Sequence, residues 1–89
     1  MKIKSGFVVE KVGTKYLAVA VGERADDFNA LIRMNGTGAF LWQLLSEGEK
    51  TRDDLLSAML AEYDVEPERA KADILAFETA LRGAGLLDE

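Results

Sequence analysis

Apolar and polar positions change period twice along the chain, and the changes mark its elements. GFVVEKV (6–12) and KYLAVAV (15–21) are β-branched-rich runs joined through Gly13-Thr14, the Gly-X form of a two-residue hairpin turn. After the polar stretch GERADD (22–27), Phe28, Ala30, Ile32 and Met34 alternate with Asn29, Leu31 and Arg33, giving one apolar and one mostly polar face. Short connections predict a three-stranded antiparallel meander over about 6–12, 15–21 and 28–34, with the first and third strands at its edges.

From residue 35 the period becomes helical. Asn35 is a good N-cap for a helix over 36–47, with Gly48 as its C-cap. Thr51 followed by Asp54 reads as a variant capping box opening a helix over 52–62, with Leu55, Leu56, Met59 and Leu60 as its apolar positions. Pro67 suits the first turn of a third helix over 67–83, ended by Gly83 or Gly85, and Ala70, Ile74, Phe77 and Leu81 recur along it as a core stripe. Leu86-Leu87 offers an apolar tail to fold back. The expectation is one α+β domain over residues 1–89, a three-stranded antiparallel sheet followed by three helices. The last two helices are compatible with a helix-turn-helix.

Asn35-Gly36-Thr37-Gly38 has the look of a phosphate cradle at a helix N-terminus. A phosphate loop needs glycines at set spacing and, in the Walker form, a Lys-Ser/Thr pair. Here Ala39-Phe40-Leu41-Trp42 follows, and the next cation is Lys50. The stretch reads as a helix cap before a packing helix, and Trp42 as a core or groove side chain.

Composition removes most catalytic chemistry. The 89 residues contain no His and no Cys. Ser–His–Asp or Cys–His nucleophilic machinery and zinc sites of the Cys/His kind therefore have no ligands or bases to use. Asp26-Asp27 and Asp53-Asp54 are adjacent pairs whose side chains diverge. They read as a solvated loop and as helix N-terminal charge, without a catalytic or metal role. No cofactor is expected. No apolar run approaches the ~20 residues of a membrane span, and neither a signal peptide nor a disulfide framework is visible, so a cytoplasmic location is expected.

Charge is asymmetric. Residues 1–34 carry six Lys/Arg against four Asp/Glu, and residues 35–89 five against twelve. Helix-turn-helix plus a β-wing is also the layout of DNA-binding regulators, but those need Lys and Arg to neutralise phosphates. Residues 66–89 hold Arg69, Lys71 and Arg82 against six Asp/Glu. No nucleic acid partner is expected; a purely structural subunit of a larger enzyme is the other alternative.

Met34-Asn35, Gly38-Ala39-Phe40-Leu41-Trp42, Leu44-Leu45 and Glu47-Gly48 resemble the PqqD-like family, named for pyrroloquinoline quinone biosynthesis protein D. The likeness continues through Leu55-Leu56, Leu60, Tyr63-Asp64-Val65, Pro67, Asp73-Ile74, Phe77, Leu81 and Gly85-Leu86-Leu87. No motif in it is chemical; its specificity lies in the sum. The 22–27 loop and the strand from Phe28 fit the broader family better than its name-giving members.

The resemblance implies a winged-helix-like fold and a non-catalytic recognition element for ribosomally made, later modified peptides. The leader segment of the precursor would add as a strand along the third strand, beside the third helix. The protein would then present it to a maturase, often a radical S-adenosylmethionine enzyme. Carried onto this chain, the peptide-binding residues would be Asn29, Ala30, Leu31, Ile32 and Arg33 from the strand, with Arg69, Ala70, Asp73, Ile74 and Phe77 from the helix. The residues support this independently: a chain poor in catalytic groups should bind, and an edge strand is a template for β-augmentation.

Overall fold

The structure, a computed structural model, describes residues 1–21 and 32–87. Strands β1 (Phe7–Val12), β2 (Lys15–Ala20) and β3 (Ile32–Met34) are followed by helices α1 (Gly36–Ser46), α2 (Arg52–Glu62) and α3 (Pro67–Gly83). This is the expected α+β order. Residues 28–31 of the anticipated third strand, and the 22–27 loop, lie outside the described residues.

The sheet is antiparallel in the order β1-β2-β3. Its hairpin closes on the pair Val12↔Lys15, and Gly13 supplies the left-handed φ of +65° that the first position of a Gly-X turn demands. One face packs on the helices: Ala18 and Met34 are buried there, with Phe7, Tyr16 and Ile32 half-buried beside them. Val8 and Val12 stay exposed on the strands.

Each helix begins and ends as its local chemistry dictates. The Asn35 side chain accepts from the Gly38 N–H at 2.8 Å, which satisfies one of α1's orphan donors. The C-cap of α1 is Glu47 rather than Gly48; Gly48 follows it at φ +152°, the position where a helix leaves its right-handed path. At α2 the box is complete: Thr51 Oγ1 accepts from the Asp54 N–H, and an Asp54 carboxylate oxygen accepts from the Thr51 N–H. Pro67 opens α3, and Ala84 caps it. There Leu86 N–H donates to Leu81 C=O and Gly85 N–H to Arg82 C=O, a Schellman closure around Gly85 at φ +74°. The closure turns Leu86-Leu87 back, so that Leu87 bridges Ile3 and Lys4 N–H donates to Leu86 C=O.

The core lies between the sheet and the three helices. Leu41, Trp42 and Leu45 of α1 meet Leu55 and Met59 of α2 and Ala70, Ile74, Phe77 and Leu81 of α3. The α3 stripe is the predicted one; Leu60 of α2 is exposed instead of packed. Trp42 packs edge-on to Phe7, with ring centroids 6.0 Å apart, and so ties α1 to the sheet. Among the described residues one charged side chain is buried: Glu78, held by Arg52 from the start of α2. Among the described residues no helix is long and apolar enough to cross a membrane.

Candidate functional site

An open groove of about 250 Å³ runs between β3 and α3. Ile32, Arg33 and Met34 form one wall. Asp73, Ala76, Phe77 and Ala80 form the other, at the three- and four-residue spacings that share one face of a helix. Gly38, Leu41 and Leu81, all buried, make the base, and Asn35 and Thr37 border it at the start of α1.

The glycine-bearing run therefore has two structural tasks. Asn35 caps α1, and Gly38 lets the helix approach β3. A Cβ at Gly38 would stand 3.1 Å from the Met34 Cβ, tighter than ordinary packing. A side chain there would force Met34 to shift, so the glycine permits the close approach of α1 to β3 at the base of the groove.

The strand ladder determines which main-chain groups of β3 are spare. Val21 N–H donates to Gly6 C=O at 2.9 Å. The register carries that parity along the hairpin, making Val8↔Val19, Glu10↔Leu17 and Val12↔Lys15 the hydrogen-bonded pairs. Odd-numbered β2 residues thus turn their N–H and C=O toward β1, and even-numbered ones toward β3. Tyr16↔Met34 and Ala18↔Ile32 are therefore the hydrogen-bonded pairs of the second ladder, and Leu17↔Arg33 is the non-hydrogen-bonded one. It follows that the N–H and C=O of Arg33 point away from the sheet, at the open edge. Its side chain is exposed, whereas Met34 beside it is buried and Ile32 half-buried, as alternation requires.

Of the residues anticipated from sequence, Ile32, Arg33, Asp73 and Phe77 come together at this groove. Arg69 is exposed one turn before Asp73 and pairs with its carboxylate at 3.7 Å, so it reaches the rim through that contact. Ala70 lies fully in the core. Ile74 is turned toward α2, where it lines a separate apolar cavity with Leu56 and Leu75. Asn29, Ala30 and Leu31 lie outside the described residues. Sequence reasoning missed Ala76 and Ala80. Their signal was the helical face shared with Phe77, which a search for large apolar residues passes over.

Asp53 and Asp54 lie at the start of α2 and take separate roles there. Asp54 is committed to the α2 cap, where hydrogen bonds from the Thr51 backbone and side chain hold its carboxyl below the usual carboxylate range. Asp53 is exposed at the helix start, and Asp26-Asp27 fall outside the described residues. Among the described residues no group of three or more acidic side chains is placed to hold a metal ion. Among the described residues, what the groove offers is an apolar slot with the outward-facing main-chain groups of Arg33 along one side.

The family model for coenzyme PQQ synthesis protein D (PqqD) matches residues 12–87. Two solved structures share the fold over nearly the whole chain. One is TbiB1 in complex with the TbiA(β) leader peptide, with a TM-score of 0.73 and 25% identity, covering 99% of this chain and 95% of that one. The other is lasso peptide synthetase B1 complexed with the leader peptide, with a TM-score of 0.66 and 24% identity over 96% and 93%. No curated protein matches the sequence.

Proposed function

This chain belongs to the family of coenzyme PQQ synthesis protein D, and on that premise we propose that it is a single non-catalytic recognition domain over residues 1–89. It captures the leader segment of a ribosomally made precursor peptide and presents it to the enzyme that modifies it. The leader adds as a strand along β3 and lies in the groove walled by α3. The observation that carries this reading is the groove itself: one wall is an open strand edge whose Arg33 main-chain groups face outward. Main-chain hydrogen bonds give such an edge affinity, and side-chain pockets beside it give selectivity. TbiB1, related at 25% identity, is described with a leader peptide bound, which supports the same use here. The lack of His and Cys in the whole chain supports binding without chemistry.

Ordering a disordered leader consumes part of the interaction energy, so the affinity should be moderate, roughly micromolar. Calorimetric titration with synthetic leader segments of candidate ribosomal precursor peptides tests it. Binding that is abolished by N-methylating the leader amides along the added strand supports strand addition. Binding indifferent to N-methylation throughout the segment overturns it.

A further inference from the structure

We infer, resting on the strand-addition reading above, that the groove selects a peptide segment of the pattern apolar–acidic–apolar, its central carboxylate facing Arg33. Three observations lead there. The outward N–H and C=O of Arg33 are the groups an added strand must engage on β3. One peptide residue therefore lies directly opposite Arg33, and this holds for parallel and antiparallel addition alike. Directly opposed residues put their side chains on the same face of a sheet. The residue opposite Arg33 thus projects onto the solvent face beside the guanidinium, while its two neighbours turn to the helix side. There they meet Met34 and Ile32 on one wall and Phe77 and Ala80 on the other.

The second observation is that the Arg33 side chain faces solvent. Among the described residues none pairs with it, in contrast to Arg69, which is engaged by Asp73 at 3.7 Å. The third is the surrounding field. The net charge of −5 would by itself draw a basic peptide. That field is screened over about 8 Å at physiological salt, whereas opposed side chains of an added strand stand roughly 5 Å apart at Cβ. The local cation therefore decides the charge at this one position, and the acidic surroundings decide it further out.

The test is a displayed library of random twelve-residue peptides, selected in parallel on the wild-type chain, on Arg33→Lys and on Arg33→Glu. Arg33 is exposed, so all three proteins should fold, which matched melting curves verify. Peptides from the wild type and Arg33→Lys should share one enriched acidic position flanked on both sides by apolar residues. Arg33→Glu should enrich Lys or Arg at that position and bind the wild-type winners about tenfold more weakly. If the selected peptides protect the Arg33 amide from exchange while the flanked position keeps the same charge preference on Arg33→Glu, the inference is wrong and strand addition stands. If the winners leave that amide unprotected on the wild type, both fail.

Discussion

Arg52 clasps Glu78 across the α2–α3 interface, with Nη2 2.7 Å from Oε2 and Nε 3.1 and 3.2 Å from the two carboxylate oxygens. The two ends differ in burial: the Glu78 side chain is 4% exposed and that of Arg52 65%. Removing the arginine strands a buried carboxylate with Arg82 at 3.9 Å. Removing the carboxylate's charge leaves a guanidinium that water can solvate. Arg52→Ala should therefore cost ~2–3 kcal/mol, below the range for a fully buried pair, and Glu78→Gln ~1 kcal/mol. Urea denaturation of both variants checks this; equal costs would show that Arg52 does not carry the buried charge.

The α2 capping box should make helix stability depend on acid. The Asp54 carboxyl is held below its unfolded value, chiefly by the Thr51 backbone N–H and then by the Thr51 side chain. A depressed carboxylate contributes stability above its unfolded pKa and loses it as pH falls through the folded value. Asp54→Ala should therefore melt below the wild type at pH 7, and the gap should narrow as pH drops through the carboxylate range. A gap that stays constant on acidification would assign the effect to something other than the charged cap.

Core and groove separate at two aromatic residues. Trp42 packs on Phe7, away from the β3–α3 groove, while Phe77 lines it. Each changed to Ala should lose ~3–5 kcal/mol of stability. At a temperature where both variants remain folded, only Phe77→Ala should weaken leader binding. Binding lost equally in both would mean that the groove does not discriminate between them.

Ala80 gives the complementary test, because it is exposed on the groove wall and can be enlarged without overpacking the core. Ala80→Trp should fold with a melting temperature near that of the wild type and bind the leader at least tenfold more weakly, as calorimetry would read. Unchanged affinity would place the peptide elsewhere.

Most of the fold was legible in the sequence because its signals are local. The Gly13-Thr14 turn, the Asn35 and Thr51 caps and Pro67 each specify a boundary by chemistry within a few residues, and the α3 stripe repeats at helical spacing. What escaped depends on partners distant in sequence. Glu78 sits on the buried face of α3, where Arg52 from another helix clasps it and Arg82 lies at 3.9 Å. Ala70 and Ile74 share the helix with the groove residues, but the docking of α2 against α3 turns them into the core. The strand parity was illegible for the same reason. It is fixed by the Val21–Gly6 hydrogen bond and the β2–β3 register together, and single-strand alternation leaves either parity possible.

That parity gives the most direct test of leader capture. Ile32 and Met34 turn their amides into the ladder with β2, while the Arg33 amide faces the open edge. Hydrogen exchange followed residue by residue, with and without the leader, should show Ile32 and Met34 protected in both states. Arg33 should be fast alone and slowed at least tenfold by the leader. An Arg33 amide unchanged by saturating leader, with the response centred instead on the hairpin from Lys11 to Lys15, would contradict strand addition at β3.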